Sequence, residues 1–574
     1  MSKQSITVAL FAAIFLMAAS LTNAQTTRKK TEQKGAGQKK TEDVEDEAQT
    51  QKSVLLSNLS ALDGDAVNLN SPLARAVVKT EIADVAWNLD KQWARELLKD
   101  AFELALPNKE TRRKLQKLKR GDNPVEPTKE TIPQNEVRRK VLAIARRDPA
   151  FAGELAQIAK EEMGELEEVQ AYSSAAYGAF QADDIKQAKE YTRKMFDADP
   201  SQVSAGGAIA EIASLDRGEA DKLIIEYLQN LRNFPINSEN ALRIYNSLRL
   251  AVFPPSIFDE QRRKIPIAGN EARRAYCGFL IASLLDLESR EPGAAMRLKP
   301  YFIPEMWPFI SNMAPELVDS YLRLEAISGI HPEFGSLQTS SLEERVKAQY
   351  ETIVSNAQRN KSRDEIVEAV KWALGRQDYE TCRQLIDDLP AGDLRSKYSE
   401  DVNRSEAISL LGKKDFEGAA RIAGKLESAS SLMQVYPQVI KFCVDKEDLH
   451  CVNSLTSELT IKLEKKSESS KAASILSGVA ATVAAKDEAI AMDLLRQAVS
   501  AANASDVKRT AENSHRVEFD NKAFELLALN YEAQTFQMAK SLDDRLHRYL
   551  ALAAIYRGKS NALQKKTTTK RAGN

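Results

Sequence analysis

"LGRQDYETCRQL", Leu374–Leu385, and "LGKKDFEGAARI", Leu411–Ile422, share a Gly-basic-x-Asp-aromatic-Glu phrase that returns after 37 residues. Such a phrase is either a charged site or a structural unit, and its surroundings decide which. Four and eight residues before the Asp, and four and seven after it, stand apolar or small side chains. They are Val370, Leu374, Cys382 and Leu385 around Asp378, and Ala407, Leu411, Ala419 and Ile422 around Asp415. The same columns hold Ile82, Ala86, Ala94 and Leu97 around Asp90; Ala176, Phe180, Ala188 and Tyr191 around Asp184; Ala208, Ile212, Ala220 and Leu223 around Asp216; and Val479, Val483, Ala491 and Leu494 around Asp487. Weaker copies centre on Asp148, Glu447 and Thr535, and a Pro-started variant sits at Ala314-Pro315.

Apolar positions four apart share one face of a helix, whereas the Asp column interrupts that face with a residue type preferred as an N-cap. The Asp therefore starts a second helix, its carboxylate accepting from the exposed N–H groups of the first turn. Pro149 and Pro315 fit a first helical position, where a missing N–H costs nothing. The small residue four places later lets two antiparallel helices approach, so each unit reads as a helical hairpin. The intervals run 36 and 32 residues from Asp148 through Asp184 to Asp216, and 37, 32, 40 and 48 from Asp378 to Thr535. Periods of this size belong to helical solenoids. The fold class predicted is all-α, an α-solenoid of irregular antiparallel hairpins.

One stretch, "AYGAFQADDIKQAKEYTRKMFDADPSQ" within Val169–Gln202, resembles a unit of the tetratricopeptide (TPR) repeat family. Asp184 stands before its second helix, Ala188 at the small packing site and Pro200 where that family closes its repeat. "DYETC" and "DFEGA" resemble the same helix opening, while the Trp and Gly signatures of the family's first helix are missing. The resemblance implies a solenoid that binds extended peptides or partner helices.

Charged residues make up 28% of the chain and aromatics 6%, as expected for helices with solvated outer faces. Lys and Arg total 81 against 82 Asp and Glu, so no global field draws the chain to nucleic acid. At the N-terminus, Lys3, the apolar run Ile6–Leu21 and the neutral Thr22-Asn23-Ala24 form a secretory signal, with cleavage expected after Ala24. The mature protein is then expected to be periplasmic or secreted, with no membrane span after cleavage. Of the four cysteines, only Cys443 and Cys451 are close, and they read either as a disulfide or as two small buried side chains.

Composition divides the chain into a signal peptide (1–24), a disordered leader (25–52), an N-terminal repeat region (53–235), an irregular helical middle (236–337), a C-terminal repeat region (338–558) and a basic disordered tail (559–574). The middle carries the turn-rich pieces "FPPSIFDEQRRKIPIAGN" and "KPYFIPEMWPFI".

No motif for nucleotide, metal or acyl-transfer chemistry occurs, and the four histidines show no metal-ligand spacing. The expectation is a scaffold for protein or peptide binding on the concave face, with no catalysis, no cofactor and no metal. Candidate partner-binding residues are Tyr301, Phe302, Trp307 and Phe309, crowded among Pro300, Pro304 and Pro308, and Arg112, Arg113, Lys117 and Arg120 in "TRRKLQKLKRG". Their plainer readings are a hairpin core and a solvated basic helix. The alternatives are a passive spacer, or a glycan-acting enzyme in which Glu288 of Glu288-Ser289 is the acid. That pair resembles the catalytic dipeptide of lytic transglycosylases, but the family's later Gly-Leu-Met-Gln segment is absent.

Overall fold

The computed structural model describes residues 30–117, 131–199, 204–232, 234, 236–253, 268–298, 303–328, 347, 349–464, 469–505 and 519–572. Among them the only regular structure is helix. The signal segment, Arg120, Tyr301, Phe302 and the boundary expected near Leu337 lie outside the described residues. The first part of the chain forms α1 (Lys30–Ala66), α2 (Pro72–Ala86), α3 (Lys91–Leu104), α4 (Lys109–Gln116), α5 (Thr131–Ala145), α6 (Pro149–Met163), α7 (Glu165–Gln181), α8 (Ile185–Ala198), α9 (Ser204–Leu215), α10 (Arg217–Leu231) and α11 (Ala241–Val252). The middle holds α12 (Asn270–Arg290), α13 (Ala294–Leu298), α14 (Ile303–Met313) and, after a 3-10 turn at Pro315–Leu317, α15 (Val318–Ser328). Then come α16 (Arg363–Gly375), α17 (Tyr379–Asp387), α18 (Asp393–Gly412), α19 (Phe416–Ala423), α20 (Ala429–Asp445), α21 (Leu449–Glu464), α22 (Ser469–Val483), α23 (Glu488–Asn503), α24 (Lys522–Leu527), α25 (Glu532–Lys540) and α26 (Arg545–Ala572).

The Asp of the repeated phrase is the N-cap of a second helix at seven places. Asp90, Asp148, Asp184, Asp216, Asp378, Asp415 and Asp487 each accept from the backbone N–H three residues on, at 2.9–3.3 Å. At Asp184, Asp378 and Asp415 the residue before the cap is left-handed: Asp183 at φ 56°, Gln377 at 60° and Lys414 at 62°. The cap's own N–H then reaches back five residues to the first helix, as in Asp378 N to Ala373 O at 2.9 Å. One residue thus ends the first helix in a Schellman motif and starts the second.

Two centres move. The fourth such turn has Glu447 at φ 59° and Asp448 as the cap, accepting from Cys451 N at 3.0 Å, so the centre lies one residue beyond Glu447. This explains why Leu455 falls one place late when the columns are counted from Glu447. Thr535 is no helix start: it lies inside α25, buried, with its Oγ1 donating to Tyr531 O at 2.9 Å. A hydroxyl that satisfies itself on the preceding turn fits a helix interior as well as an end.

The first helices of successive hairpins pack in a row, α16, α18, α20, α22, α24, α26, and the row continues from α26 onto α2, α5, α7, α9 and α11. The second helices line it, most of them against their own partner and the next first helix, while α10 packs on α9 and α12. At the passage from α26 to α2 the second-helix position is filled by α1, which packs on both. The first and last of the described helices therefore make one composite hairpin, joined by packing and not by a turn.

Its directions follow from the contacts. Tyr549 Oη, near the start of α26, donates to Asp65 O at the end of α1, and eight residues on Arg557 meets Glu81 and Asp84 of α2 at 2.6 and 2.9 Å. So α26 runs parallel to α2 and antiparallel to α1, as in an ordinary unit. Leu55, Leu59, Leu62 and Ala66 of α1 enter one hydrophobic cluster with Leu546 and Ala553 of α26, and that cluster extends to Leu324. A second cluster spans Ala407–Ile555 and a third Ala357–Val402.

Helix α1 takes in residues 30–52, where composition predicts a flexible leader, and α26 runs through 559–572, where a basic tail is expected. Its first residues there are tied down: Lys559 reaches Glu532 at 2.6 Å, Ser560 is buried, and Asn561 donates to Glu525 at 3.1 Å.

Candidate functional site

The first-helix row has bare points where neighbours touch backbone to backbone. A Cβ on Gly178 of α7 would stand 1.9 Å from the carbonyl oxygen of Arg146, just past α5, and one on Gly206 of α9 would stand 1.8 Å from that of Ser247 on α11. Only glycine allows such an approach. It brings Tyr177, the residue before Gly178, under the Arg146 guanidinium, 5.0 Å from the ring centre.

Beside this contact runs a furrow of about 310 Å³ between α5 and α7, lined by Arg139, Leu142, Arg146, Gln170, Ser173 and Tyr177 among others. Ser173 and Tyr177 also wall a second recess of about 270 Å³, which crosses to α9 and includes Phe180, Ala208, Glu211 and Ile212. The two recesses form one groove over three consecutive first helices. Tyr177 is 36% exposed, unusual for so large a ring on a helix this well packed. Lys140 and Arg147, the neighbours of Arg139 and Arg146, are committed to Glu81 and to Asp84 (2.7 Å). Arg139 and Arg146 have no carboxylate within salt-bridge distance among the described residues. The groove is cationic and aromatic at its α5–α7 end and carries one carboxylate, Glu211, at its α9 end.

The expected partner-binding residues that are described lie outside this groove. Phe309 is buried, edge-on to Phe253 at 5.9 Å, with the Arg273 guanidinium 4.3 Å from its ring centre and 4.8 Å from that of Phe253. Trp307, half-buried, stacks on Tyr321 at 5.1 Å. In the basic helix α4, Arg112 pairs with Glu162, and Gln116 donates to the carbonyls of Glu161 and Glu162 at 3.0 and 3.2 Å. Arg113 and Lys117 remain exposed. Glu288 accepts from Gly293 N and Ala295 N, both at 2.7 Å, so each carboxylate oxygen is engaged in the turn after α12. Cys443 and Cys451 are joined in a disulfide across the Asp448 turn, with Cα atoms 5.8 Å apart.

No family model matches the chain, and no curated protein matches it. Among solved structures it is similar to a "circular tandem repeat protein with novel repeat topology and enhanced subunit contact surfaces", at 14% identity over 91% of this chain and 100% of that one. The TM-score is 0.13, too low for that likeness to carry any argument. The packing of its described helices makes the chain an all-α helical solenoid. No described helix is long and apolar enough to cross a membrane.

Proposed function

We propose that the protein is an extracytoplasmic, TPR-like scaffold that holds an extended segment of another protein or peptide in the groove over α5, α7 and α9, with no catalytic step. The observation that carries this reading is the exposed Tyr177 set between two recesses, beside two arginines with no acidic partner among the described residues. Rigid aromatic and arginine side chains around a preformed groove supply contact area at little entropic cost. The apolar N-terminal run Ile6–Leu21, followed by the expected cleavage point after Ala24, supports an extracytoplasmic location, and so does the Cys443–Cys451 disulfide, since such bonds persist in oxidising compartments.

A photo-crosslinking residue in place of Tyr177, in the full mature chain within its native envelope, tests the reading. Discrete adducts from position 177, lost when unlabelled partner competes, are expected. A matching probe at exposed Lys371, on the far array, should yield none. Equal labelling at both positions would contradict the proposal.

A further inference from the structure

The groove has a polarity that narrows its ligand, an inference that rests on the peptide-binding reading above. Arg139 and Arg146 stand seven residues apart along α5 and the turn after it, about 10 Å of helix rise. Three residues of polyproline-II chain, whose side chains three apart share one face, span about 9 Å. Across the furrow Gln170, Ser173 and Ser174 offer neutral hydrogen-bonding groups, and among the described residues no carboxylate lines this part. Beyond Tyr177 the walls turn apolar, with Phe180, Ala208 and Ile212, and the far side carries Glu211.

We infer that the groove takes an extended acidic peptide with two carboxylate side chains three residues apart, followed by an apolar side chain and then a basic one. The two carboxylates pair with Arg139 and Arg146. The apolar side chain enters the second recess against Tyr177 and Phe180, and the basic residue meets Glu211. Arg146 keeps its place over Tyr177 while it binds, because the Gly178 contact fixes the backbone of both. Charge order along the groove thus sets the direction in which the peptide lies. Reversing the peptide sequence puts its base beside the arginines and its acid beside Glu211.

Fluorescence anisotropy on the mature full-length chain tests this, with labelled ten-residue probes at low salt. One probe has Glu-Ser-Ser-Glu followed by Leu and Lys; the second has the same residues in reverse order; the third replaces both Glu by Gln. The first is expected to bind about tenfold more tightly than either of the others, with the difference shrinking as salt rises. Arg139→Glu with Arg146→Glu should abolish that preference. Glu211→Lys should weaken the first and the third probes alike, because both carry the lysine. Equal binding of all three probes, weakened by Tyr177→Ala, would overturn the charge assignment and leave the groove as a peptide site. If no probe binds and Tyr177→Ala changes nothing, both readings fall. Circular dichroism of each variant confirms that it is folded.

Discussion

The hairpin α7–α8 and the composite hairpin α26–α1 occupy equivalent places in the solenoid and are built differently. In α7–α8 a left-handed Asp183 and the Asp184 cap turn the chain within three residues, so the second helix is delivered to its partner by covalent proximity. In α26–α1 the partner comes from the other end of the sequence: Tyr549 and Asp65, which touch, are 484 residues apart. There the turn is replaced by buried Leu55, Leu59 and Leu62 of α1, while α26 is tied to α2 by an ion network in which Arg557, Lys140 and Arg147 surround Glu81 and Asp84. The comparison teaches that the solenoid specifies second-helix positions by the surface of the row, while the Asp phrase is a local means of filling them. Closing a noncovalent pair across the chain costs more loop entropy than a turn does, which the buried leucines of α1 must offset.

The largest effects should separate the two hairpins by consequence more than by size. Leu59→Ala in α1 and Leu155→Ala in α6, both fully buried, should each cost about 2–5 kcal/mol in chemical denaturation. Only Leu59→Ala should release a helix with the rest still folded, seen as rapid proteolysis confined to α1. Equal proteolysis in both variants would erase the distinction.

Arg557→Met should come next, at about 3 kcal/mol, because it leaves Glu81 and Asp84 without their partner from α26. Burial pushes the Glu81 carboxyl up, but Lys140 and Arg557 outweigh it and hold the group below the ordinary glutamate range. A carboxylate with a depressed folded pKa contributes stability that is present above its unfolded pKa and lost as pH falls through the folded one. Hydrogen exchange at the α26–α2 contact should therefore quicken on acidification below the usual glutamate range. In Arg557→Met that acid dependence should be weaker.

Gly558→Ala and Gly178→Ala should cost similar amounts, about 1–3 kcal/mol, although one glycine lies in the composite pair and the other in a covalent one. Both meet a backbone carbonyl, Glu525 O at 2.2 Å and Arg146 O at 1.9 Å. A much smaller loss for Gly558 would mean that α26 sits loosely in the row. The smallest effects belong to the turn itself. Asp415→Ala should cost about 1 kcal/mol as a lost cap, and Lys414→Gly should gain about 0.5 kcal/mol by relieving a left-handed lysine. Thermal unfolding reads both.

The sequence made the hairpins legible because a cap, its small packing residue and the flanking apolar columns act within a few residues of one another. Its one-residue error at Glu447 arose because the acidic residues of "DKED" compete for the cap, and only the left-handed φ of Glu447 resolves it. Thr535 misled for a related reason, since threonine suits a cap and a helix interior alike. The composite hairpin left no local trace: Leu55, Leu59 and Leu62 read as an ordinary amphipathic run with no adjacent partner. The groove was hidden as well. Tyr177 and Arg146 stand beside core columns that were read correctly, but their exposure depends on how closely α7 approaches α5, which Gly178 controls. Phe309 and Trp307, prominent in sequence, are held by Phe253, Arg273 and Tyr321.

The central claim is that the two ends of the chain close one hairpin and so join both arrays into a single solenoid. Cutting the mature protein at a protease site introduced between Ser328 and Lys347, followed by size-exclusion chromatography with mass detection, tests it most directly. The two fragments should elute together at the mass of the intact chain, and should separate when Leu59→Ala and Arg557→Met are added. Fragments that separate after the cut alone would contradict the composite hairpin.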